Sequence, residues 1–255
     1  MSNKREREKR REERLQAESA AGGGERRTRL LQMGAAAVFL AVVAVVVLIV
    51  VNSGDSEGGD ASNLKDVGSV GKLFEGIPQN GLQLGQPDAK VELIEYGDLQ
   101  CPVCKGFAEE ILPPVIESQV RAGDLKVTFR NFTIIGPQST PAGAAALAAG
   151  EQGKGWEFLE LFYHNQGPEN AGYADDQFLT AIAKAVGVED IEKFDRERKS
   201  DKLVEEVERT TEQAETLGMT GTPSLAIEGP ATSGLELLSS PSSSQGLEEL
   251  VERAS

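Results

Sequence analysis

Cys101-Pro102-Val103-Cys104 sets two thiols three positions apart in a chain that contains only two cysteines. At a helix start, that spacing closes a small disulfide with little backbone movement. A helix start also presents free N–H groups and a partial positive charge, which favour the thiolate, the reactive form of cysteine. Thiols so placed have pKa values of about 3.5–7.5. Pro102 suits the first helical position, where a missing N–H costs nothing. Cys101 at the entrance is therefore the reactive thiol. Cys104, one turn further in and less exposed, is the resolving one. The motif alone leaves two other readings open. Half a zinc site is one, but a second Cys/His pair is lacking and structural zinc takes four ligands. An inert structural disulfide is the other, although so short a loop gains little stability from closure.

Two further residues carry possible chemistry. Glu95 lies six positions before Cys101, on the same strand face as Val91 and Leu93. If that face is buried, its pKa rises, which suits a proton acceptor for Cys104; a strand-end glutamate facing solvent is the alternative. His164 is the sole histidine. A Ser-His-Asp hydrolase would have to use it, but its place in a helical stretch far from the cysteines fits a surface or packing residue better.

The elements that must position these groups follow from periodicity. Lys90–Tyr96 reads as a strand that is apolar on both faces and hence central. Cys101–Val120 reads as a helix: Phe107, Ile111 and Val115 fall four apart, as do Ala108, Leu112, Ile116 and Val120. Pro113 and Pro114 predict a kink in it. Leu125–Ile134 alternates like a second strand. Helices follow at Thr140–Ala149, Trp156–His164, Asp176–Val186 (closed by Gly187) and Asp201–Leu217 (closed by Gly218). Strand character returns at Ser224–Ile227 and Leu235–Leu238, and Leu247, Leu250 and Val251 mark a last helix. This order is an α/β pattern with a helical insertion.

Charge and hydropathy divide the 255 residues. Residues 1–32 hold 10 Lys/Arg against 6 Asp/Glu, whereas residues 52–255 hold 16 against 35. So acidic a segment repels phosphate backbones, which excludes nucleic acid as a partner. Met33–Val51 carries no charge, and nineteen residues at about 1.5 Å each approach the thickness of a bilayer core. Arg26, Arg27 and Arg29 precede this run and Asp55, Glu57 and Asp60 follow it, which predicts a cytoplasmic N-terminus. The expected organisation is a cytoplasmic tail (1–32), a transmembrane helix (33–51), an extracytoplasmic linker (52–80) and one domain (81–255) with its helical insertion at about 137–218. The apolar run is longer than a signal h-region and lies deep in the chain, so an uncleaved anchor is expected.

Glu95-Tyr96-Gly97-Asp98-Leu99-Gln100-Cys101-Pro102-Val103-Cys104, followed by Phe107, resembles the active-site segment of the DsbA-like thiol–disulfide oxidoreductases. Gly221-Thr222-Pro223-Ser224 is similar to that family's second motif, and Trp156–Gln166 to its helical-domain stretch ending in an Asn-Gln pair. The resemblance implies a thioredoxin-like α/β fold with an inserted helical subdomain, here preceded by one transmembrane helix. It implies that Cys101 forms the mixed disulfide, that Cys104 resolves it, and that an acidic residue belongs at the position of Glu95. It implies further that Pro223 is cis and that the Thr222 backbone pairs with an extended substrate. The activity implied is introduction of disulfides into secreted or surface proteins, without a cofactor or metal. The partners implied are reduced or unfolded proteins and a protein that reoxidises the cysteine pair. Val103 departs from the His often found between the cysteines of strongly oxidising members. A reductase or isomerase, or a non-catalytic thioredoxin-fold binding module, are the alternatives.

Overall fold

The computed structural model describes residues 63–255, together with residues 9, 11 and 12. The expected span at Met33–Val51 lies outside them; among the described residues no helix is long and apolar enough to cross a membrane.

From residue 63 onward the first element is helix α1 (Val67–Phe74), then a short hairpin of β1 (Gln79–Asn80) and β2 (Gln83–Leu84), then β3 (Val91–Gly97). β3 is buried along nearly its whole length, as its apolar residues on both faces require. A long helical stretch follows: α2 (Pro102–Gly106), a π-helical turn (Phe107–Ile111), α3 (Leu112–Val115) and a second π-helical turn (Ile116–Val120). The expected proline kink takes this form. Pro113 and Pro114 have no N–H to give to the carbonyls one turn back, and Leu112 N–H instead reaches Phe107 O, five residues behind.

Next come β4 (Leu125–Asn131), then α4 (Ser139–Gly150), α5 (Gly155–His164), α6 (Asp176–Ala185), α7 (Ile191–Glu197) and α8 (Asp201–Thr216). β5 (Ser224–Glu228), β6 (Glu236–Leu238) and α9 (Ser244–Ala254) end the chain. The sheet order is β1-β2-β4-β3-β5-β6, with β3 and β4 parallel and the other neighbours antiparallel. Side chains alternate across β3. Val91 and Leu93 join Val127, Leu225 and Ile227 in the main core with Leu112, Val115, Ile116, Leu247 and Val251. Ile94 and Tyr96 face the opposite way, onto a smaller cluster with Ala214 and Met219. Burial of these side chains, at about 25 cal/mol per Å² of apolar surface, holds both layers on the sheet.

The packed structure starts earlier than the expected boundary at residue 80. Val70 and Phe74 of α1 are buried, and the Phe74 ring packs tilted against Trp156 with 6.2 Å between ring centres. Asn165 Oδ1 accepts from Lys65 N at 2.9 Å, and its amide donates to Lys65 O at 3.2 Å. The two glycines and the shortness of α1 hide this, because only Val70 and Phe74 are fully buried while Val67 and Leu73 are partly so.

Candidate active site

Two segments far apart in sequence meet because β5 pairs antiparallel with β3. Ser224 lies opposite Tyr96, and Leu225 opposite Glu95. The Thr222-Pro223 peptide just before β5 thereby arrives at the end of β3, where the loop Asp98–Cys101 turns into α2. That peptide bond is cis.

Cys101 is the N-cap of α2 with Pro102 at the first helical position. Its sulfur accepts from Cys104 N at 3.5 Å and lies 3.4 Å from Thr222 O. Both cysteines are free thiols. Cys101 keeps 4% of its surface exposed, Cys104 none, and Val103 between them 63%. Helix periodicity explains the contrast: Val103 points out while Cys104 turns back under the helix onto the core.

The two thiols differ in acidity. Cys101 is lowered to about 6. The largest cause is donation from the Cys104 thiol; burial opposes it, and the Thr222 side chain and the N–H groups of Cys104 and Val103 assist. Cys104 is raised well above the ordinary thiol range, first by burial, then by its own donation to Cys101 and by the charges of Glu95 and Cys101. At neutral pH the pair holds one proton, on Cys104.

Glu95 faces the same side of β3 as Val91 and Leu93 and is only 2% exposed, as the strand alternation requires. Burial, then the neighbouring charges of Glu160 and Cys101, raise it to about 8. Its Oε1 is buried without a hydrogen-bond partner. Gly97, two residues on, leaves room for Phe129, whose ring would come within 2.6 Å of a Cβ there.

The entrance loop is held by residues whose roles the sequence does not announce. Asp98 is fully buried. Its Oδ1 accepts from Gln100 N and its Oδ2 from Ile134 N and Ile135 N, each at 2.9 Å. Gln100 donates to Ser139 Oγ at 3.0 Å and accepts from Asn170 N at 3.1 Å. Gln166 donates to Leu99 O at 2.7 Å and to Cys101 O at 3.1 Å. The only sequence signal for these roles was a polar Asp-Leu-Gln run beside the cysteines, together with the Asn-Gln pair ending α5. His164 closes α5 and makes no contact with either cysteine. Its Nδ1 is 3.1 Å from Asp66 and 3.7 Å from Glu109, and its Nε2 is 3.4 Å from Glu160.

Comparison with known proteins agrees with this geometry. Residues 78–253 match the family model described as Thioredoxin. Probable disulfide bond formation protein D of Bacillus cereus is 31% identical over 149 residues, 57% of this chain and 69% of the relative. Among solved structures, oxidised BdbD from Bacillus subtilis has a TM-score of 0.61 at 22% identity, covering 70% of this chain and 96% of that one. Wolbachia pipientis alpha-DsbA1 has a TM-score of 0.58 at 19% identity, covering 72% and 95%. With its thioredoxin-like sheet, its helical insertion and its pair of thiols at the start of α2, the chain belongs to the thioredoxin family and has the DsbA-like fold.

Proposed function

We propose that this chain is an extracytoplasmic thiol–disulfide oxidoreductase that introduces disulfides into secreted or surface proteins through Cys101 and Cys104. The relative named a disulfide bond formation protein supports the direction of transfer. The observation that carries the reading is the placement of the two thiols: Cys101 caps α2 with its sulfur accepting from Cys104 N, and Cys104 is buried one turn further in.

In the oxidised protein a substrate thiolate attacks the Cys101 sulfur. The Cys101–Cys104 bond breaks, and Cys104 leaves with the electron pair and takes a proton from Glu95. A second substrate thiolate then attacks the substrate sulfur of the mixed disulfide, and Cys101 leaves as a thiolate. Two electrons have passed to the cysteine pair and one disulfide has formed in the substrate. The hydrogen bonds that stabilise the Cys101 thiolate favour this reduced state, and a stabilised reduced state makes a protein oxidising. The backbone at Thr222, beside the Cys101 sulfur, is the edge along which an extended substrate chain pairs. A redox partner then takes the two electrons and restores the disulfide.

The anchor belongs to the same reading. Met33–Val51 has the length and composition of a membrane span, and the charge step across it supports a cytoplasmic tail at 1–32 with the oxidoreductase domain outside. The spacer then comprises the residues between the span and α1. A second direction, reductase or isomerase, draws support from one observation: Val103 is exposed and uncharged, so the thiolate gains nothing from the residue between the cysteines.

The test is disulfide transfer itself. The oxidised chain, mixed with a reduced protein whose native state holds disulfides, forms those disulfides while its own cysteines become reduced. The Cys101→Ser variant forms none. A substrate left fully reduced by the wild-type chain refutes the reading.

A further inference from the structure

Leu99 and Cys101 present their carbonyl oxygens to one side-chain amide. Gln166 Nε2 lies 2.7 Å from Leu99 O and 3.1 Å from Cys101 O. Only the NH2 end of an amide can meet two carbonyl oxygens, so both of its hydrogens are committed to the entrance loop. The Cys101 carbonyl also accepts from Lys105 N at 3.1 Å, the bond that opens α2. Two donors from different parts of the chain thus converge on the carbonyl of the reactive residue.

The amide is itself anchored. Gln166 N donates to Tyr163 O at 3.0 Å, where α5 ends. The adjacent Asn165 donates from its side chain to Leu161 O at 2.9 Å and to Lys65 O at 3.2 Å. The support matters because α2 is short. It runs only from Pro102 to Gly106 before the helix widens into a π-helical turn.

We propose that Gln166 is a positioning residue for the resolving step: by holding the Cys101 carbonyl, it keeps the Cys101 sulfur where Cys104 can attack it once a partner is joined there. This rests on the reading of Cys101 as the attacking thiol and Cys104 as the resolving one. The carbonyl and the sulfur belong to one residue, which stands at φ −77° and ψ 120°. A change in that ψ turns the carbonyl and swings the sulfur relative to α2. In the reduced protein the cap bond from Cys104 N to the Cys101 sulfur, at 3.5 Å, is a second restraint. Charge on the sulfur strengthens such a bond. A mixed disulfide carries no charge there, so the cap bond weakens at the stage where aim decides the rate. The bonds from Gln166 join neutral groups and persist through the cycle.

In the mixed disulfide Cys101 is joined to a partner sulfur. Cys104 gives its proton to Glu95, and the resulting thiolate attacks the Cys101 sulfur. The Cys101–partner bond breaks, the partner leaves as a thiolate with the electron pair, and the Cys101–Cys104 disulfide remains. Gln166 exchanges neither proton nor electron in this step. Its contribution is orientation, and a displacement of about 1 Å between reacting atoms costs up to about 100-fold in rate.

The experiment mixes the reduced full-length chain with oxidised glutathione, quenches with acid, and follows the Cys101–glutathione adduct by mass spectrometry from about pH 5 to 8. Adduct formation reports attack by Cys101; decay to the Cys101–Cys104 disulfide reports attack by Cys104. Gln166→Met keeps the length of the side chain and removes both donors. Its decay falls by at least about tenfold at every pH, and by more than its formation does. Gln166→Ala takes its place if Gln166→Met does not fold. Gln166→Glu separates hydrogen bonding from packing. Its carboxylate donates nothing, whereas its protonated form has one O–H to give. At pH 8 this variant decays no faster than Gln166→Met. At pH 5 it outruns Gln166→Met by at least about threefold, the worth of one neutral hydrogen bond. Packing alone produces no such pH dependence, and repulsion by the carboxylate alone never makes the variant the faster of the two. Decay of Gln166→Met within twofold of wild type, or a Gln166→Glu variant that never outruns it, overturns the assignment and leaves the roles of the two thiols standing. If the wild-type adduct never decays to the internal disulfide, the reading of Cys104 fails and the role of Gln166 fails with it.

Discussion

The Cys101 sulfur lies 3.4 Å from the carbonyl oxygen of Thr222, although 121 positions separate the two residues. The contact exists because Tyr96 and Ser224 are paired across β3 and β5. The reactive thiol and the start of β5 are therefore held together by the backbone hydrogen bonds of the central sheet.

The Thr222 side chain also lowers the Cys101 pKa. Hydrogen bonds to charged groups are worth about 1.5–3 kcal/mol, less where water competes. Thr222→Val keeps the shape and removes the hydroxyl. The Cys101 pKa is expected to rise by about one unit, which corresponds to about 1.4 kcal/mol, read from the pH dependence of thiolate ultraviolet absorbance. An unchanged titration would show that the hydroxyl does not reach the sulfur.

Glu95 gives stability a pH dependence of definite sign. Its folded pKa of about 8 stands above the ordinary 4.5. Between these values the unfolded chain releases a proton that the native chain keeps, so the contribution of Glu95 falls as pH rises through this window. At about 1.4 kcal/mol per unit, the loss by the upper end amounts to several kcal/mol. Cys101 runs the other way in the reduced form. With a folded pKa of about 6 against 9, its contribution is full above 9 and fades as pH falls through 6. Glu95→Gln removes the first trend and leaves the second. The reduced variant should therefore gain stability over wild type steadily from about pH 5 to 8 in urea melts. A difference between the two proteins that is flat with pH would contradict the raised pKa.

Asp98→Ala tests the entrance loop. The substitution strips partners from the N–H groups of Gln100, which is buried, and of Ile134 and Ile135, which are part-buried. Each buried donor left unmet costs about 1–3 kcal/mol. A loss of about 2–3 kcal/mol is expected in denaturant unfolding, most of it from the buried Gln100 N–H, together with a slower reaction of Cys101. A loss below about 1 kcal/mol would mean that the loop holds itself.

Val103→His tests direction. Val103 is exposed at the first turn of α2, where a protonated imidazole would favour the neighbouring thiolate by roughly 1–2 kcal/mol. For a two-electron couple 30 mV is about 1.4 kcal/mol. The wild-type potential should fall at roughly −130 to −220 mV, and the variant should be more oxidising by some tens of millivolts. A wild-type value near that of thioredoxin, about −270 mV, or a variant that moves the other way, would favour the reductase reading.

Much of this architecture was legible in the chain. The apolar residues on both faces of 90–96 placed β3 at the centre, and its alternation set Glu95 on the side of Val91 and Leu93, where the structure has it. The helix after Cys101 and the closing glycines at 187 and 218 were equally plain. Other features were not, because their information is not local. α1 fully buries only Val70 and Phe74 and reads as spacer until α5 is packed against it. α7 is short and mostly charged, with Phe194 alone fully inside. Within the site, the sequence offered the thiols and the carboxylate by type and spacing. Asp98 and Gln166 matter through partners 36 to 67 positions away, and no periodicity encodes such pairings.

The central claim is that one thiol of the pair is poised as a nucleophile while the other holds its proton. The most direct test is the rate of alkylation of the reduced protein by iodoacetamide as a function of pH, with each cysteine quantified by peptide mass spectrometry. Cys101 should react with a midpoint at about 6, and Cys104 should stay unmodified across the same range. Equal reactivity of the two cysteines, or a Cys101 midpoint near the ordinary thiol value of about 8.5, would contradict the account.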